Sequence, residues 1–249
     1  MLSLSCSGDG VTDPARPEER NMLVGYLKKV PLFKQLKDAQ LREIAARCSS
    51  AACPKGRVLF RKTDMSTDLY IVKDGKLKAF LEDDEGDEIV LAEFVKGDFF
   101  GELSLLDGKG RSATIVAEEN AELFMLNKDV FLDTLARNPK IAIEVMSTLV
   151  ERLRKADEMI ESLAFREVGE RLLRQLLENT EPSGDEGYLR TAKLTHRELS
   201  ARIGSSRESV SKCMKVLAEK RLVKEGSGHL LVARDALERL KAGSKLGGK

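Results

Sequence analysis

The chain is poor in the side chains that build metal centres and nucleophilic sites. Only two of its 249 residues are histidine and only four are cysteine. The histidines, His196 and His229, stand in no metal-ligand or nucleophile pattern, so an enzyme is not expected. The cysteines are too scattered for a disulfide framework in a chain of this length, at Cys6, Cys48, Cys53 and Cys213.

Long apolar stretches are also missing. No run approaches the roughly 18 apolar residues of a membrane helix, and the N-terminus has no secretory apolar segment. The composition, 42% hydrophobic and 33% charged, is that of a chain able to bury a proper core. We therefore expect a cytoplasmic protein of two domains without a membrane partner.

Charge is distributed unevenly along the chain. Residues 190–249 contain 15 Lys and Arg against 6 Asp and Glu, a net charge of +9, and residues 1–189 contain 27 against 35, a net charge of −8. A basic C-terminal part suits contact with nucleic acid, because phosphate neutralisation supplies most non-specific affinity. A solvated charged surface is the alternative.

Hydrophobic periodicity changes twice along the chain. Residues 1–21 show little periodicity and predict a disordered tail, whereas 22–47 follow helical spacing. From residue 58 the period is two, with turn glycines at short intervals, which predicts a small barrel or roll. The predicted strands are Val58–Phe60, Leu69–Val72, Leu77–Leu81, Glu88–Phe94, Thr114–Val116 and Leu123–Met125.

Asn138-Pro139 then opens a predicted long helix. Its apolar residues alternate spacings of four and three, which predicts a coiled-coil seam between two parallel helices. A single core-facing helix is the alternative. The seam consists of Ala142, Met146, Leu149, Leu153, Ala156, Ile160 and Leu163.

Residues 97–117 contain the most specific string of the chain. Gly101 allows close approach of the backbone to a ligand, and Arg111 is a charged fork suited to phosphate oxygens. Ser112 can add a hydroxyl donor, and Glu102 offers acceptors for a ribose hydroxyl. Each residue alone is ordinary at a protein surface, but their occurrence in this order predicts a pocket for one phosphate and one sugar.

The C-terminal part contains a predicted helix-turn-helix. Thr195 and Glu198 form a capping-box pattern that opens one helix, and this helix ends at Ile203-Gly204. A second helix starts after Ser206, with Val210 and Cys213 on its buried face. Leu217 to Val223 and His229 to Val232, separated by Gly226-Ser227-Gly228, predict a wing hairpin. A helical pair that does not bind DNA is the alternative.

Both strings resemble one family. Phe-Gly-Glu-Leu-Ser-Leu at 100–105 with Arg-Ser-Ala at 111–113 resembles the phosphate-binding cassette of cyclic-nucleotide-binding domains, most closely in the cyclic AMP receptor protein/fumarate-nitrate regulator (CRP/FNR) family. Ser-Arg-Glu-Ser-Val-Ser-Lys at 206–212 resembles that family's recognition helix. The resemblance covers about residues 22–233.

The resemblance implies an α+β fold with three parts after the tail. A cyclic-nucleotide-binding, jelly-roll-like β-roll is expected over 22–137, a dimerisation helix over 138–165, and a winged helix-turn-helix over 166–249. The cassette residues expected to bind the ligand are Gly101, Glu102, Leu103, Arg111, Ser112 and Ala113.

On the long helix, the same resemblance places Ala156 and Asp157 at the base. Arg152, one turn earlier, is a candidate for contact with the phosphate, and a solvated surface arginine is the alternative. Ala156 offers no hydrogen bond, while Asp157 can accept from adenine or guanine. The effector is expected to be cyclic AMP, with cyclic GMP as the alternative. Oxygen-sensing relatives carry an iron–sulfur cluster on N-terminal cysteines, but only Cys6 lies in the tail here, so neither this cluster nor a metal is expected.

For DNA, the resemblance places Arg207, Glu208 and Lys212 at base edges. Thr195, Arg197 and Ser206 are expected to contact phosphates. His196 belongs to the same DNA-facing surface.

The expected function is that of a dimeric transcription regulator that binds a palindromic double-stranded site and RNA polymerase under cyclic-nucleotide control. The alternatives are a ligand-independent regulator and a nucleotide-binding interaction module without a role on DNA.

Overall fold

The computed structural model describes residues 23–185 and 187–244, so the predicted tail over 1–21 lies outside the described residues. The chain divides into two compact units. The first contains the residues up to Leu81 together with Leu91–Arg154, and the second contains Glu82–Val90 together with the residues from Lys155 on. The domain limits given by the resemblance stay predictions.

The first unit opens with short helices rather than one long helix. Residues 23–27 form α1, a 3₁₀ turn covers Pro31–Phe33, and α2 covers Asp38–Ala45. Pro31 stands at the start of the 3₁₀ turn, where its missing N–H costs nothing. These elements bury Leu27 and Phe33 completely in one apolar cluster.

The roll consists of two four-stranded sheets, with strand orders β1-β8-β3-β6 and β2-β7-β4-β5. The resolved pairings are antiparallel. The strands are β1 Ser49–Cys53, β2 Val58–Phe60, β3 Asp68–Asp74, β4 Leu77–Glu82, β5 Glu88–Phe94, β6 Phe99–Phe100, β7 Thr114–Ala117 and β8 Ala121–Asn127.

Strand β3 connects the two apolar clusters of this unit. Because side chains alternate along a strand, Leu69 and Ile71 pack with the helices while Tyr70 and Val72 pack inside the roll. The short strand β6 pairs with β3 and leads directly into α3, Glu102–Asp107. The sequence string singled out above is thereby fixed against a strand whose residues Leu69–Val72 are all buried.

Two further helices follow the roll, α4 Lys128–Arg137 and α5 Pro139–Phe165. Helix α5 has the predicted limits and buries Ile141 and Val145. Met146, Leu153 and Ile160 of the predicted seam are 55%, 62% and 64% exposed in the single chain. The helix therefore leaves most of its apolar row uncovered, which does not fit a helix that faces only its own core.

The second unit contains a helical core and a four-stranded sheet of order β11-β12-β10-β9. Leu172, Leu176, Leu199 and Val210 are among its fully buried side chains. Its elements are α6 Val168–Leu177, β9 Thr180–Pro182, β10 Tyr188–Ala192, α7 His196–Ile203, α8 Arg207–Glu219, β11 Val223–Glu225, β12 His229–Ala233 and α9 Ala236–Ser244.

The expected α+β architecture is confirmed, with differences in detail. Strands β1, β6, β9 and β10 were not expected, because they are short or consist largely of small and polar residues. Leu217 to Glu219 was assigned to the wing but continues α8, since Leu217 fills the helical core. None of the described helices is long and apolar enough to cross a membrane.

Candidate functional site

The turn between β6 and α3 requires glycine for two independent reasons. Gly101 has φ of +90°, a conformation that other residues adopt only at a cost. A Cβ at this position would also lie 2.5 Å from Nη1 of Arg111 and 2.9 Å from the carbonyl oxygen of Asp68. The backbone at Gly101 therefore approaches the arginine more closely than any side chain would permit.

Arg111 is the buried cation around which this turn is built, with 3% of its surface exposed. Its Nε donates to Ser66 Oγ at 2.6 Å, and its Nη2 donates to the carbonyl of Asp68 at 2.7 Å. Its Nη1 donates to the carbonyl of Gly101 at 2.8 Å and to Ser104 Oγ at 2.9 Å. Four acceptors from two segments, 66–68 and 101–104, thus hold one guanidinium.

Aromatic rings and buried charge surround the same group. The Arg111 guanidinium lies 4.3 Å from the centre of the Phe60 ring and 5.6 Å from that of Tyr70. Burial lowers the pKa of Arg111, but an arginine stays charged at physiological pH. Burial also raises the pKa of the Asp68 carboxyl, an effect that the charge of Arg111 opposes. The site therefore contains a permanent cation in an environment of low polarity.

Glu102, in the first turn of α3, is the buried anion of the site, with 1% of its surface exposed. Its Oε1 accepts from Nη1 of Arg152 at 2.6 Å, and Arg152 also donates to the carbonyl of Phe99. The other oxygen, Oε2, is buried and has no hydrogen-bond partner. A buried acceptor without a partner costs about 1–3 kcal/mol of stability. Oε2 is therefore a position at which a ligand donor such as a hydroxyl can bind.

These groups line a cavity of about 60 Å³. It brings together seven of the predicted ligand residues, namely Gly101, Glu102, Leu103, Arg111, Ser112, Ala113 and Arg152. Ser112 is exposed at its edge and Ala113 is buried. The remaining two, Ala156 and Asp157, are exposed on α5 and belong to the second unit.

Sequence reasoning missed part of the site. One wall of the cavity is aromatic and consists of Phe60, Phe94 and Phe100. In the sequence these residues are recognisable only as apolar residues, without any sign of a role in the site. Two serines that accept hydrogen bonds from Arg111 were also missed. Ser104 lies within the string but had no predicted role, and Ser66 lies 45 residues before Arg111. A contact across such a separation leaves no local pattern in the sequence.

The second unit contains the predicted helix-turn-helix in α7 and α8. Thr195 caps α7, with its Oγ1 accepting from the amide of Glu198 and the Glu198 carboxylate accepting from the amide of Thr195. Gly204 ends α7 at φ of +60°, and Ser206 caps α8 by accepting from the amide of Ser209. Arg171, which the sequence did not indicate, donates to the carbonyls of Ile203 and Gly204.

The polar residues predicted to meet DNA lie on the exposed side of these helices. Arg207, Glu208 and Lys212 are exposed, and Lys212 Nζ lies 2.8 Å from Glu208 Oε1. This pairing lowers the pKa of Glu208 and raises that of Lys212. Arg197 donates to Glu88 at 2.8 Å, within the same unit.

His196 is exposed at the start of α7, and its Nδ1 lies 2.8 Å from Ser211 Oγ. The wing is the β11–β12 hairpin, which turns at residues 226–228. Among the described residues, no cluster of three or more His, Cys, Asp or Glu side chains is arranged to hold a metal ion. Burial raises the pKa of Cys48 to about 12, so its thiol stays protonated.

The fold and the site define a ligand-binding DNA regulator, and comparison with known proteins agrees. Residues 52–138 match the model of the cyclic nucleotide-binding domain, and residues 170–240 match that of the Crp-like helix-turn-helix domain. The chain belongs to the CRP/FNR family of transcription regulators, as a CRP-like cyclic-nucleotide-binding member.

Two relatives and one solved structure illustrate the similarity. The cyclic AMP receptor protein of Thermus thermophilus is 34% identical over 211 residues, which cover 85% of this chain and 96% of that protein. The cAMP-activated global transcriptional regulator CRP of Salmonella typhimurium is 28% identical over 77% of this chain and 93% of that protein. The c-di-GMP responsive regulator CLP of Xanthomonas campestris shares the fold, with a TM-score of 0.69 and 22% identity over 79% of this chain and 99% of that one.

The contacts of Arg111 generate a stability prediction. Ser66→Ala leaves the buried Nε–H without its acceptor, so we expect a loss of about 1–3 kcal/mol in the free energy of unfolding. Urea unfolding followed by circular dichroism measures this loss. Ser50→Ala, an exposed serine on β1, is the control and should change stability by less than about 0.5 kcal/mol. Equal stability of the Ser66 variant and the wild type would contradict the role of this contact.

Proposed function

We propose that the protein is a homodimeric transcription regulator whose affinity for DNA is controlled by a cyclic purine mononucleotide, with cyclic AMP as the first candidate. The observation that carries the proposal is the buried pair of complementary charges beside Gly101. Arg111 supplies a buried cation for a phosphate, and Glu102 supplies an unpaired buried oxygen for a ribose hydroxyl. One ligand that carries both groups satisfies both needs.

The roles within the pocket follow from the donors that remain. Of the five N–H groups of Arg111, four already donate to protein acceptors, so the phosphate takes the remaining Nη2–H or displaces an acceptor such as Ser66. Ser112, exposed at the edge, adds a hydroxyl. Arg152 fixes Glu102 through Oε1 and leaves Oε2 directed to the sugar. Arg111 thus neutralises the phosphate while Glu102 selects the sugar.

The base is the less determined half of the ligand. Two relatives are named for cyclic AMP, which supports adenine. Ala156 brings no hydrogen bond, and Asp157 can accept from the amine of adenine or from the N1–H and amine of guanine. We therefore propose Asp157 as the residue that decides between the two bases.

A ligand-independent regulator is the second candidate, and one observation favours it. The guanidinium of Arg111 is already bonded by protein acceptors, and the cavity of about 60 Å³ has room for only a few water molecules. A nucleotide must therefore displace side chains to enter, and that displacement costs part of its binding energy.

Titration calorimetry with cyclic AMP and cyclic GMP tests the ligand. Arg111→Ala should abolish binding, because a buried anion loses its only cationic partner in the cassette, typically at a cost of several kcal/mol. Glu102→Gln preserves shape and should weaken binding less, and Asp157→Ala should change the preference between the nucleotides. Thermal unfolding of each variant controls for folding.

Failure of both nucleotides to bind the wild type below about 1 mM would replace this proposal with the ligand-independent one. Unchanged affinity in a folded Arg111→Ala would contradict the assigned phosphate site.

The exposed apolar row of α5 supports a dimer through this helix. We expect Leu153→Asp to produce monomers, because an aspartate in the seam places an unpaired charge in a desolvated interface. Sedimentation velocity or light scattering measures the state. Met65→Asp is the matched control, since Met65 is 77% exposed and lies outside the helix. A wild-type protein that is monomeric at micromolar concentration would contradict the dimer.

A two-fold symmetric dimer is expected to bind two half-sites about one DNA turn apart, each resembling TGTGA. Arg207 is proposed to pair with a guanine, so Arg207→Ala should cost roughly 1–3 kcal/mol and relax the preference at that base. Binding selection from random DNA, followed by affinity measurements on the selected site, tests this assignment. Selection without a palindrome, or equal affinity of Arg207→Ala, would contradict it.

A further inference from the structure

The two helices of the helix-turn-helix share a hydrogen bond that determines which nitrogen of His196 carries the proton of the neutral ring. Nδ1 lies 2.8 Å from Ser211 Oγ, and the same hydroxyl lies 2.9 Å from the carbonyl oxygen of Arg207. A carbonyl oxygen only accepts, so the single hydroxyl proton of Ser211 goes to Arg207. Nδ1 must then be the donor to Ser211. In the neutral ring, Nε2 therefore carries the lone pair.

This second nitrogen is available for a partner outside the chain. His196 is exposed, and within the part of the chain that the structure describes its Nε2 forms no hydrogen bond. The carboxylates of the two helices near the ring have other partners. Glu198 accepts from the amide and hydroxyl of Thr195, and Glu208 pairs with Lys212. The other charged groups at this surface are Arg207 and Arg197, and Arg197 donates to the carboxylate of Glu88.

The position of His196 indicates what the partner is. It directly follows Thr195, in the first helix of the motif, which crosses the phosphate backbone when the second helix enters the major groove. A neutral Nε2 presents a lone pair to phosphate oxygens, whereas a protonated Nε2–H donates a charged hydrogen bond. Histidine is the side chain whose charge changes between about pH 5 and pH 8.

We propose that His196 binds a DNA phosphate only in its protonated form, held in place by Ser211, so that DNA binding takes up one proton per subunit. The inference rests on the proposed function, because it needs the dimer to bind DNA through α7 and α8. Linkage requires affinity to rise as the pH falls, since the bound state holds more protons than the free state. Ser211 is a positioning residue in this arrangement.

His229, the other histidine of the chain, is a matched control. Its Nδ1 donates to the carbonyl of Ser227, so the Nε2 of its neutral ring also carries the lone pair. The ring of His229, however, packs on the wing backbone, since a Cβ on Gly226 would lie 2.3 Å from that nitrogen. His229 thus lies against the protein, whereas His196 faces outward. We therefore assign no phosphate contact to His229.

The experiment measures the affinity for one palindromic duplex over a salt series at about pH 6 and about pH 8, with the same concentration of cyclic AMP throughout. Each phosphate contact adds about 0.9 to the slope of log affinity against log salt. For the wild-type dimer, with two copies of His196, the slope should steepen by about 1.8 between pH 8 and pH 6. A charged hydrogen bond should strengthen binding roughly tenfold per subunit.

The variants assign the effect. His196→Gln should bind with nearly the same slope at both pH values, and His229→Gln should retain the wild-type change. Ser211→Ala should bind DNA at pH 8 and show a smaller change in salt slope between pH 8 and pH 6, because the imidazole of His196 is no longer oriented.

An equal pH effect in the wild type and His196→Gln would overturn the inference while leaving the proposed DNA binding intact. Loss of the pH effect in His229→Gln would also overturn the inference. So would an affinity that rises from pH 8 to pH 6 in the wild type without a steeper salt slope. A wild type that selects no sequence at either pH would overturn the proposed function and this inference together.

Discussion

The guanidinium of Arg111 organises the ligand-binding unit. Its four hydrogen bonds connect two segments of the chain. Ser66 lies just before β3 and Asp68 begins it, and Gly101 and Ser104 lie at the first turn of α3. A buried cation is costly unless its donors are satisfied, so these segments must stay together for the charge to stay buried. The close approach of Gly101 to the guanidinium follows from that requirement. Arg152 of α5 then bonds Glu102, which connects the pocket with the long helix.

This connection gives a physical route from pocket to helix. Any ligand that uses Oε2 of Glu102 adds a partner to a carboxylate already bonded to α5. Helix α5 also exposes the apolar row proposed for the dimer, so the same element carries the pocket contact and the surface proposed for the subunit contact. A ligand acts on DNA affinity only if it binds one conformation more tightly than another. We propose the Glu102–Arg152 bond as a contact within the first unit through which such a difference can arise.

Sequence reasoning succeeded where the signal was local and failed where contacts were distant. The capping box at Thr195, the stop at Gly204 and the limits of α5 depend on neighbouring residues, and the structure has all three. Strand β1, with the sequence Ser-Ser-Ala-Ala-Cys, has weak strand propensity and exists because it pairs with β8 across the roll. Ser66 and Arg171 serve as hydrogen-bond partners of groups far along the chain, so no spacing rule identifies them.

We propose that nucleotide binding and DNA binding are coupled, and coupling between two sites is reciprocal. The most direct test measures the affinity of the dimer for a selected palindromic duplex with and without saturating cyclic nucleotide, and the affinity for that nucleotide with and without saturating duplex. We expect both affinities to rise, and to rise by the same factor, of the order of 5- to 150-fold. Identical DNA affinity with and without a nucleotide that demonstrably binds would contradict it.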